Sequence, residues 1–402
     1  MQEIGIIVRK IIVCTHDEGG TGKNMNRIGE WIKGMDVSTL IEEEACGAEY
    51  YDGDHKEELL TILKRYGTNS VRLRLWNHPY SASGDKYGAG TNDLEKTIIL
   101  ARRAKALGMN FLLDFHYSDF WVDPGKQFVP KAWEGQNANE LADSVYAYTK
   151  EVLCKLKEED LVPYMVQVGN EITNGCLWPL CNRDYGKPNG YEGNYYNKNL
   201  VNVLNSGIRA VKEVSPESIV MLHLDNGGNN ELYRSWFDGY FAEGGEDFDV
   251  IGLSYYPFWH GNLAALKYNL DDIAVRYGKQ LVLAEISMGF SLDDYAAYEN
   301  MKPEDRKGMA TTEKTLAGLD YPMTPEGQKD FMEHVCQILR DVPNGLGMGY
   351  YYWEPGWIPV PGCGWATPAS LKYIQDKGPC GNEWANQALF DYEGHALPAL
   401  KV

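Results

Sequence analysis

Long hydrophobic runs are missing from this sequence. No stretch approaches the ~20 consecutive apolar residues that a membrane-spanning helix needs, so the sequence predicts no such helix. Basic residues are also scarce, with 38 Lys and Arg against 57 Asp and Glu, which gives a net charge of −19 and a pI near 4.9. Such a surface repels phosphates and other polyanions, which argues against nucleic acid or an acidic polymer as the partner.

Two common ligand motifs are missing as well. None of the eight cysteines shows the repeated CxxC or His spacing of a zinc site. The segment GGTGKN resembles a phosphate loop, but Asp17 and Asn24 stand where that motif needs Gly and Ser or Thr. We interpret residues 1–28 as a leader or extension of uncertain structure, without a convincing signal peptide because basic residues interrupt its short apolar run. Residues 29–402 are predicted to form a single domain.

The cysteines do not decide whether the protein works in a reducing or an oxidising compartment. Cys154 and Cys336 lie in helical patterns and are predicted to be buried thiols. Four others form two pairs that each share a loop, so either pair could close a disulfide in an oxidising compartment, and spacing alone decides neither. The two pairs are Cys176 with Cys181 and Cys363 with Cys380.

Aromatic residues, in contrast, are abundant. The chain has 27 Tyr and 11 Trp, and its hydrophobic fraction of 44 % is enough for a sizeable core. Tyr and Trp combine a flat apolar face with one polar tip, which matches the surface of a sugar ring. Many of them will nevertheless belong to the core.

Strand-like and helix-like patterns alternate along the chain from Trp31. Eight short apolar runs predict β-strands at residues 31–38, 70–76, 110–116, 165–171, 219–224, 250–256, 281–287 and 348–354. Apolar residues spaced by three and four predict helices between them, including 55–67, 93–108, 138–159, 194–214 and 324–342. Eight such units predict an α/β fold of the TIM (β/α)8 barrel type with extended βα loops. An open doubly wound sheet is the alternative, but its glycine-rich nucleotide turn after the first strand is missing.

The alternation within the strands supports closure into a barrel. In VRLRLW, the apolar residues Val71, Leu73 and Leu75 share one face that suits packing on helices, while Arg72 and Arg74 share the other. Several strands carry polar groups near their carboxyl ends in the same way. These groups are Asp114 and His116, Gln167 and Glu171, and Ser254 and Tyr256. An enclosed ion-pair network that is purely structural would explain them too.

Two carboxylates stand out because each follows an apolar run. Glu171 follows MVQVGN, interpreted as a buried strand that ends on this carboxylate, and Glu285 lies 114 residues further on (285 − 171) in LVLAEIS. Carboxyl ends of parallel strands meet at one mouth of a barrel. Two carboxylates that meet there are the equipment for hydrolysing a glycosidic bond.

Six motifs in order resemble glycoside hydrolase family 53, the endo-β-1,4-galactanases. They are WNHPY (76–80), DFHYSDFWVDPGKQ (114–127), MVQVGNEITNG (165–175), LSYYPFWHG (253–261), WEPGWIPVPG (353–362) and NQALFD (386–391). The resemblance runs from about Trp31 to the C-terminus. It implies a TIM barrel of the clan that carries its acid/base Glu after strand four and its nucleophile after strand seven, which here are Glu171 and Glu285.

The implied reaction is endo-acting cleavage of β-1,4-galactan, as in the type I arabinogalactan side chains of pectin, with retention of configuration. Retention requires carboxyl groups about 5 to 5.5 Å apart. The resemblance also implies that Arg72 keeps Glu285 ionised, that Tyr256 hydrogen-bonds the same carboxylate, and that Asn170 holds the sugar 2-hydroxyl. The predicted substrate-binding set is Arg72, Arg74, Asp114, His116, Trp121, Asn170, Tyr256 and Trp353. Ile286 and Ser287 depart from the family pattern beside the nucleophile, so contacts there can differ.

Long loops are predicted at the catalytic face, at residues 117–135, 172–196, 286–323 and 354–385. Each Trp in or near them could contact sugar or pack between loops. These are Trp121, Trp133, Trp178, Trp259, Trp357 and Trp365.

The resemblance further implies a monomer outside the cell or at its surface that needs no cofactor. Whether the protein binds a structural calcium is left undecided, and the acids available to bind it are Asp293, Asp294 and Asp376. Two alternatives remain: another retaining β-1,4-glycanase of the clan, acting on mannan, xylan or glucan, and a carbohydrate-binding barrel without catalysis.

Overall fold

The eight predicted strands form a closed barrel. A computed structural model describes residues 28–190, 195–295, 309–311, 313–316 and 319–402. Its barrel strands are β1 (Ile32–Asp36), β2 (Ser70–Leu75), β3 (Asn110–Phe115), β4 (Met165–Val168), β5 (Ile219–Leu224), β6 (Val250–Tyr255), β7 (Gln280–Ile286) and β8 (Gly347–Tyr352). Each strand pairs in parallel with its sequence neighbours, and β1 closes the barrel by pairing with β8. The predicted TIM barrel is thereby confirmed, and the open doubly wound sheet is wrong.

Helices follow the strands and form the outer layer. They are α1 (Leu40–Ala45), α2 (Leu59–Arg65), α3 (Leu94–Ala106), α4 (Ala138–Glu158), α5 (Lys198–Val214), α6 (Asn230–Ala242), α7 (Leu263–Tyr277), α8 (Pro325–Arg340) and α9 (Pro368–Ile374). Several begin at a capping side chain, as α4 does at Asn137, which accepts hydrogen bonds from the backbone of Asn139 and Glu140.

The predicted helix at 55–67 is wrong over its first residues. His55–Glu57 pairs with Tyr50–Asp52 as an antiparallel hairpin, and α2 begins only at Leu59. The hairpin turns at Gly53 and Asp54, and Gly53 has φ of 61°, a left-handed conformation that glycine adopts without strain. Turn chemistry therefore outweighs the helical spacing that follows it.

The strand alternation separates two cores. Val71, Leu73 and Leu75 face outward into the large core between barrel and helices, as predicted. A smaller cluster fills the barrel interior near the amino ends of the strands. Its buried members are Ile28, Ile32, Leu112, Met165, Ile219, Met221, Val250, Val282, Ala284 and Tyr351. This inner cluster fills the end of the barrel where the amino ends of the strands lie. A site can therefore form only at the opposite end, where the carboxyl ends lie.

The first residues of the chain are only partly described. Ile28 is buried, and its backbone exchanges two hydrogen bonds with the side chain of Gln280, at 2.8 and 3.1 Å. Ile28, the last residue of the predicted extension, thus packs with the barrel. The rest of that extension, including GGTGKN, lies outside the described residues. Nowhere in the described part of the chain does a helix have the length and apolar character to cross a membrane.

The cysteine predictions are partly wrong. Cys336 is a buried free thiol as predicted, but Cys154 is disulfide-bonded. A helical pattern predicts that a side chain is buried, but it says nothing about a partner elsewhere in the chain. Cys176, Cys181 and Cys363 are free thiols, so neither of the two loop disulfides that the sequence left open forms. Burial raises the pKa of Cys181 to about 12, which keeps that thiol neutral and unreactive.

Candidate active site

Glu171 stands at the mouth of the barrel just after β4. The strand ends at Val168 rather than continuing to Glu171 as predicted. Gly169 then turns with φ of 86°, and Glu171 itself has φ of 45°, a left-handed conformation that non-glycine residues seldom adopt. A Cβ on Gly169 would lie only 2.7 Å from Cγ2 of Ile172. The glycine therefore permits the tight turn that carries Glu171.

The environment of Glu171 favours its protonated form. Its side chain is largely buried, and its Oε1 accepts a hydrogen bond from the Ser254 hydroxyl at 2.6 Å. Burial and the negative charges of Glu285 and Asp225 raise the pKa of Glu171 well above its usual value. A carboxyl group in this state can act as a general acid.

Glu285 enters the same mouth through an irregularity of β7. Strict alternation would turn it outward with Leu281 and Leu283, which pack in the outer core. The pairing of β6 with β7 shifts by one residue here, from Leu253–Leu283 to Ser254–Glu285. This bulge brings Glu285 to the inner face.

Glu285 has strong partners that Glu171 lacks. Nη2 of Arg72 lies 2.9 Å from its Oε1, and the Tyr256 hydroxyl donates to Oε2 at 2.8 Å. Burial raises the pKa of Glu285, while Arg72 and Tyr256 oppose that rise. These partners favour the ionised form of Glu285, whereas the surroundings of Glu171 favour its protonated form.

Both carboxylates line one open cleft of about 390 Å³. Four of the predicted substrate-binding residues line it with them, namely Trp121, Asn170, Tyr256 and Trp353. The other four, Arg72, Arg74, Asp114 and His116, are buried beneath the cleft. The structure thus assigns these four to a supporting layer rather than to the cleft surface.

The supporting layer is an ion-pair network around two arginines. Arg72 bonds Asp36 at 2.7 Å and Asp114 at 2.8 Å as well as Glu285, and Arg74 bonds Asp36 at 3.0 Å and Glu354 at 2.6 Å. The two guanidinium groups lower the pKa of Asp36 despite its burial. Because these charges pair within hydrogen-bond distance, the supporting layer can fix the position of the carboxylates above it.

His116 belongs to the supporting layer as a neutral ring. Its Nε2 lies 3.0 Å from Oδ2 of Asp114, and its Nδ1 accepts a hydrogen bond from the Trp76 indole at 3.1 Å. Burial lowers the pKa of His116 below its usual value. The ring therefore positions Asp114 rather than carrying a charge into the cleft.

Aromatic rings form much of the cleft surface. The Arg74 guanidinium lies 4.4 Å from the Trp121 ring centroid, and the Trp353 ring lies 4.9 Å from that of Trp384. Of the other loop Trp residues named from the sequence, three line the cleft, namely Trp259, Trp357 and Trp365. Trp133 instead packs in the outer core, and Trp178 is not part of the cleft lining.

Several site residues were missed in the sequence. Asp36 ends β1 and shares its inner face, a position that strand alternation could have identified. Asp225 directly follows β5 and lines the cleft, and Trp384 lies in the last predicted loop. His223 on β5 bonds Ser254 at 2.8 Å, but its strand reads as uniformly apolar around it.

The acids named for calcium do not assemble in the described part of the chain. No group of three or more His, Cys, Asp or Glu side chains able to hold a metal occurs there. Asp376 lines the cleft and its Oδ1 accepts the backbone N–H of Gly378 at 2.7 Å. The calcium site stays a prediction.

Comparisons with known proteins agree on one family. The sequence model described as glycosyl hydrolase family 53 matches residues 32–402. The chain is 42 % identical over 377 residues to a Niallia circulans chain named as an uncharacterized protein in the bgaB 5′ region, covering 92 % of this chain and 93 % of that one. It is 37 % identical over 399 residues to an endo-β-1,4-galactanase of Bacillus subtilis, covering 94 % and 86 %.

A solved structure supports the same assignment. The Ignisphaera aggregans GH53 catalytic domain superimposes with a TM-score of 0.82 at 35 % identity, covering 92 % of this chain and 95 % of that domain. The fold, the paired carboxylates and the family model all agree. This chain belongs to glycosyl hydrolase family 53.

Proposed function

We propose that this enzyme hydrolyses internal β-1,4-galactosidic bonds of galactan with retention of configuration. The observation that carries the proposal is the unequal environment of two carboxylates in one cleft. Glu285 is held by Arg72 and Tyr256, whereas the side chain of Glu171 accepts a hydrogen bond from the Ser254 hydroxyl alone among the described residues. A charged carboxylate beside a protonated one is what double displacement requires.

In the first step, Glu285 attacks the anomeric carbon and forms a covalent glycosyl ester. The bond to the departing sugar breaks as Glu171 transfers its proton to the departing oxygen. We expect the two carboxyl groups to lie about 5 to 5.5 Å apart, because retention requires that spacing. Arg72 keeps Glu285 ionised before the attack.

In the second step, Glu171 becomes the base. Formation of the ester removes the negative charge of Glu285, which had raised the pKa of Glu171. Glu171 then takes a proton from water as the water attacks the anomeric carbon and releases Glu285. The proton taken from water restores the starting state of the acid.

The charge of the protein and the activity named for a relative both support galactan as the substrate. A neutral polymer is not repelled by a chain of net charge −19, whereas the acidic backbone of pectin would be. The relative from Bacillus subtilis is named an endo-β-1,4-galactanase. The open cleft, lined by Trp121, Trp259 and Trp384 among others, can hold several sugars of one chain.

The test compares linear β-1,4-galactan with mannan, xylan and glucan. We expect a broad early distribution of oligomers from galactan, with little release from the other polymers, and a β-configured product in proton NMR of the fresh digest. Faster hydrolysis of one of the other polymers would favour a related glycanase of the clan. Binding of galactan without any hydrolysis would favour the carbohydrate-binding barrel.

Three further properties accompany this proposal. We expect a monomer in size-exclusion chromatography with light scattering. Treatment with EDTA should leave kcat unchanged, because both reacting groups are carboxylates; a structural calcium would appear as a lowered Tm after the same treatment. We also propose that the enzyme works outside the cell or at its surface, where its polymeric substrate is found.

A further inference from the structure

A chain of buried hydrogen bonds joins Arg72 to Glu171 below the cleft. Its members, Arg72, Gln167, His223 and Ser254, come from strands β2, β4, β5 and β6. All four side chains are fully buried. Buried polar groups must find their partners within the protein, so the donor and acceptor role of each atom can be worked out in order.

The direction of the chain is set at Arg72. A guanidinium group only donates hydrogen bonds. Its Nε lies 3.3 Å from Oε1 of Gln167, and its Nη2 lies 2.9 Å from Oδ1 of Asn170, so both amide oxygens must face the arginine. Gln167 therefore presents its NH₂ group to Nδ1 of His223, at 3.0 Å.

That contact sets the tautomer of His223. The two hydrogens of the Gln167 NH₂ group have three acceptors within reach, and the nearest two are Nδ1 of His223 at 3.0 Å and Oδ1 of Asn170 at 3.1 Å, ahead of the Gly169 carbonyl at 3.2 Å. Nδ1 also faces the backbone N–H of Glu171 at 3.5 Å, so we assign Nδ1 as an acceptor. The oxygen of Asn170 also lies 3.1 Å from Nδ1, but it already accepts from Arg72 and from Gln167. Burial lowers the pKa of His223 well below its usual value, so the ring is neutral and carries a single hydrogen. Because Nδ1 accepts, that hydrogen is on Nε2. Nε2 donates it to the Ser254 hydroxyl at 2.8 Å.

Ser254 then has one hydrogen left to give. Its hydroxyl accepts from His223 and lies 2.6 Å from Oε1 of Glu171, so it donates to that oxygen. We infer that the chain Arg72–Gln167–His223–Ser254 keeps a donor on Oε1 of Glu171, so that the proton transferred in catalysis is carried by Oε2. This inference rests on the proposed acid/base role of Glu171.

His223 and Ser254 are thus positioning residues that act through Glu171. Arg72, which pairs with Glu285, also begins the chain that orients Glu171. One guanidinium group therefore holds the nucleophile ionised and fixes which oxygen of the acid carries the proton.

The donor on Oε1 also affects the titration of Glu171. Glu285 on β7, Asp225 after β5 and Asp123 in the loop after β3 all favour the protonated form, whereas the Ser254 hydrogen bond favours the ionised form. Without that hydroxyl, the pKa of Glu171 should rise further. The basic limb of the pH profile of kcat/KM reports this group.

The first experiment compares Ser254→Ala with Ser70→Ala. Ser70 is also a buried barrel serine, but its hydroxyl bonds Tyr351 at 2.9 Å near the closed end of the barrel. For Ser254→Ala we expect the basic limb to move up by about one pH unit, since a hydrogen bond to a charged group is worth about that much. For Ser70→Ala we expect no movement.

Two substrates separate positioning from general damage. On galactan, kcat/KM of Ser254→Ala should fall about tenfold or more at neutral pH, because its departing sugar needs the acid. On a dinitrophenyl β-galactoside, whose leaving group needs no proton, kcat/KM should stay within about twofold. An unmoved basic limb, an equal loss on both substrates, or the same changes in Ser70→Ala would overturn the inference.

A second measurement needs no activity. Nitrogen-15 NMR of histidine-labelled wild-type protein reports the tautomer of each ring, and the His223 signal is identified by its loss in His223→Gln. We expect the neutral Nε2–H form throughout pH 5 to 8. An Nδ1–H ring would reverse the chain and overturn the inference. If wild-type protein fails to cleave galactan, the proposed function fails, while this measurement still decides the direction of the chain.

Discussion

The two ends of the barrel interior are built from the same strands but from opposite kinds of side chain. At the amino end, residues such as Met165, Met221 and Val282 form an apolar cluster. At the carboxyl end, Arg72 alone contacts three carboxylates within 2.9 Å. One end therefore gains its free energy from burying apolar surface, and the other holds charges that would be costly if any partner were lost.

This difference separates stability from function within one interior. Apolar packing tolerates changes of shape at a graded cost, whereas a buried ion-pair network fails when one member is removed. Substitutions at the mouth should therefore impair both folding and catalysis, and substitutions at the closed end should impair folding alone.

The largest effect is expected for Glu285→Gln. Loss of the nucleophile should lower kcat on galactan by about 10⁴-fold or more. The unfolding midpoint should move by only a few degrees, because the amide fits the same space and Arg72 keeps Asp36 and Asp114 as partners. Glu158→Gln on the exposed end of α4 is the matched control and should retain full activity. Substantial turnover by Glu285→Gln would contradict its role.

Arg72→Met should have the largest effect on stability. Its loss leaves Asp36, Asp114 and Glu285 buried without their cation, at a cost of about 3–5 kcal/mol in the free energy of unfolding. Urea denaturation measures this cost. Arg102→Met removes one exposed ion pair with Glu159 and should cost less than about 1 kcal/mol. Equal losses in the two variants would show that the buried network does not behave differently from the surface.

Met221→Ala tests the closed end. Met221 is fully buried in the inner cluster, so its truncation should cost about 2–4 kcal/mol. The folded fraction should keep kcat and KM within about twofold of wild type, because the cleft lies at the other end. Val275→Ala, at a side chain that is 65 % exposed, should be nearly neutral. A fall in kcat comparable to that of a variant at the mouth would show that packing at the closed end also controls catalysis.

The features of the fold and the site that could be predicted are those that a local sequence pattern encodes. The barrel followed from the alternation of strands and helices. Glu171 and Glu285 were identified by the apolar runs before them, and the family motifs gave the same two residues. The orientation of Glu285 could not be predicted, because alternation turns it outward and only the bulge of β7 turns it inward. His223 was missed because its role arises from a contact with Ser254, far away in the sequence, whereas the position of Asp36 on the inner face of β1 could have been identified from strand alternation.

The smallest expected effect is a pH dependence at the mouth. Glu354 follows Trp353, is buried, and bonds Nη1 of Arg74 at 2.6 Å and the Thr39 hydroxyl at 2.5 Å. Burial raises its pKa from 4.5 to about 7 despite the opposing charge of Arg74. A folded-state pKa above the unfolded value means that the folded protein binds the proton more tightly.

The stability that Glu354 contributes is therefore complete below about pH 4.5 and is lost as the pH rises through about 7. In Glu354→Gln this loss is absent, so the free energy of unfolding of the variant relative to wild type should increase by about 1–3 kcal/mol between pH 5 and pH 8. Urea denaturation at a series of pH values measures this change. Glu333→Gln on the exposed face of α8 is the control and should show a constant difference. A difference that falls with pH would mean that Arg74 holds Glu354 ionised, and the mouth would then lose stability in acid instead.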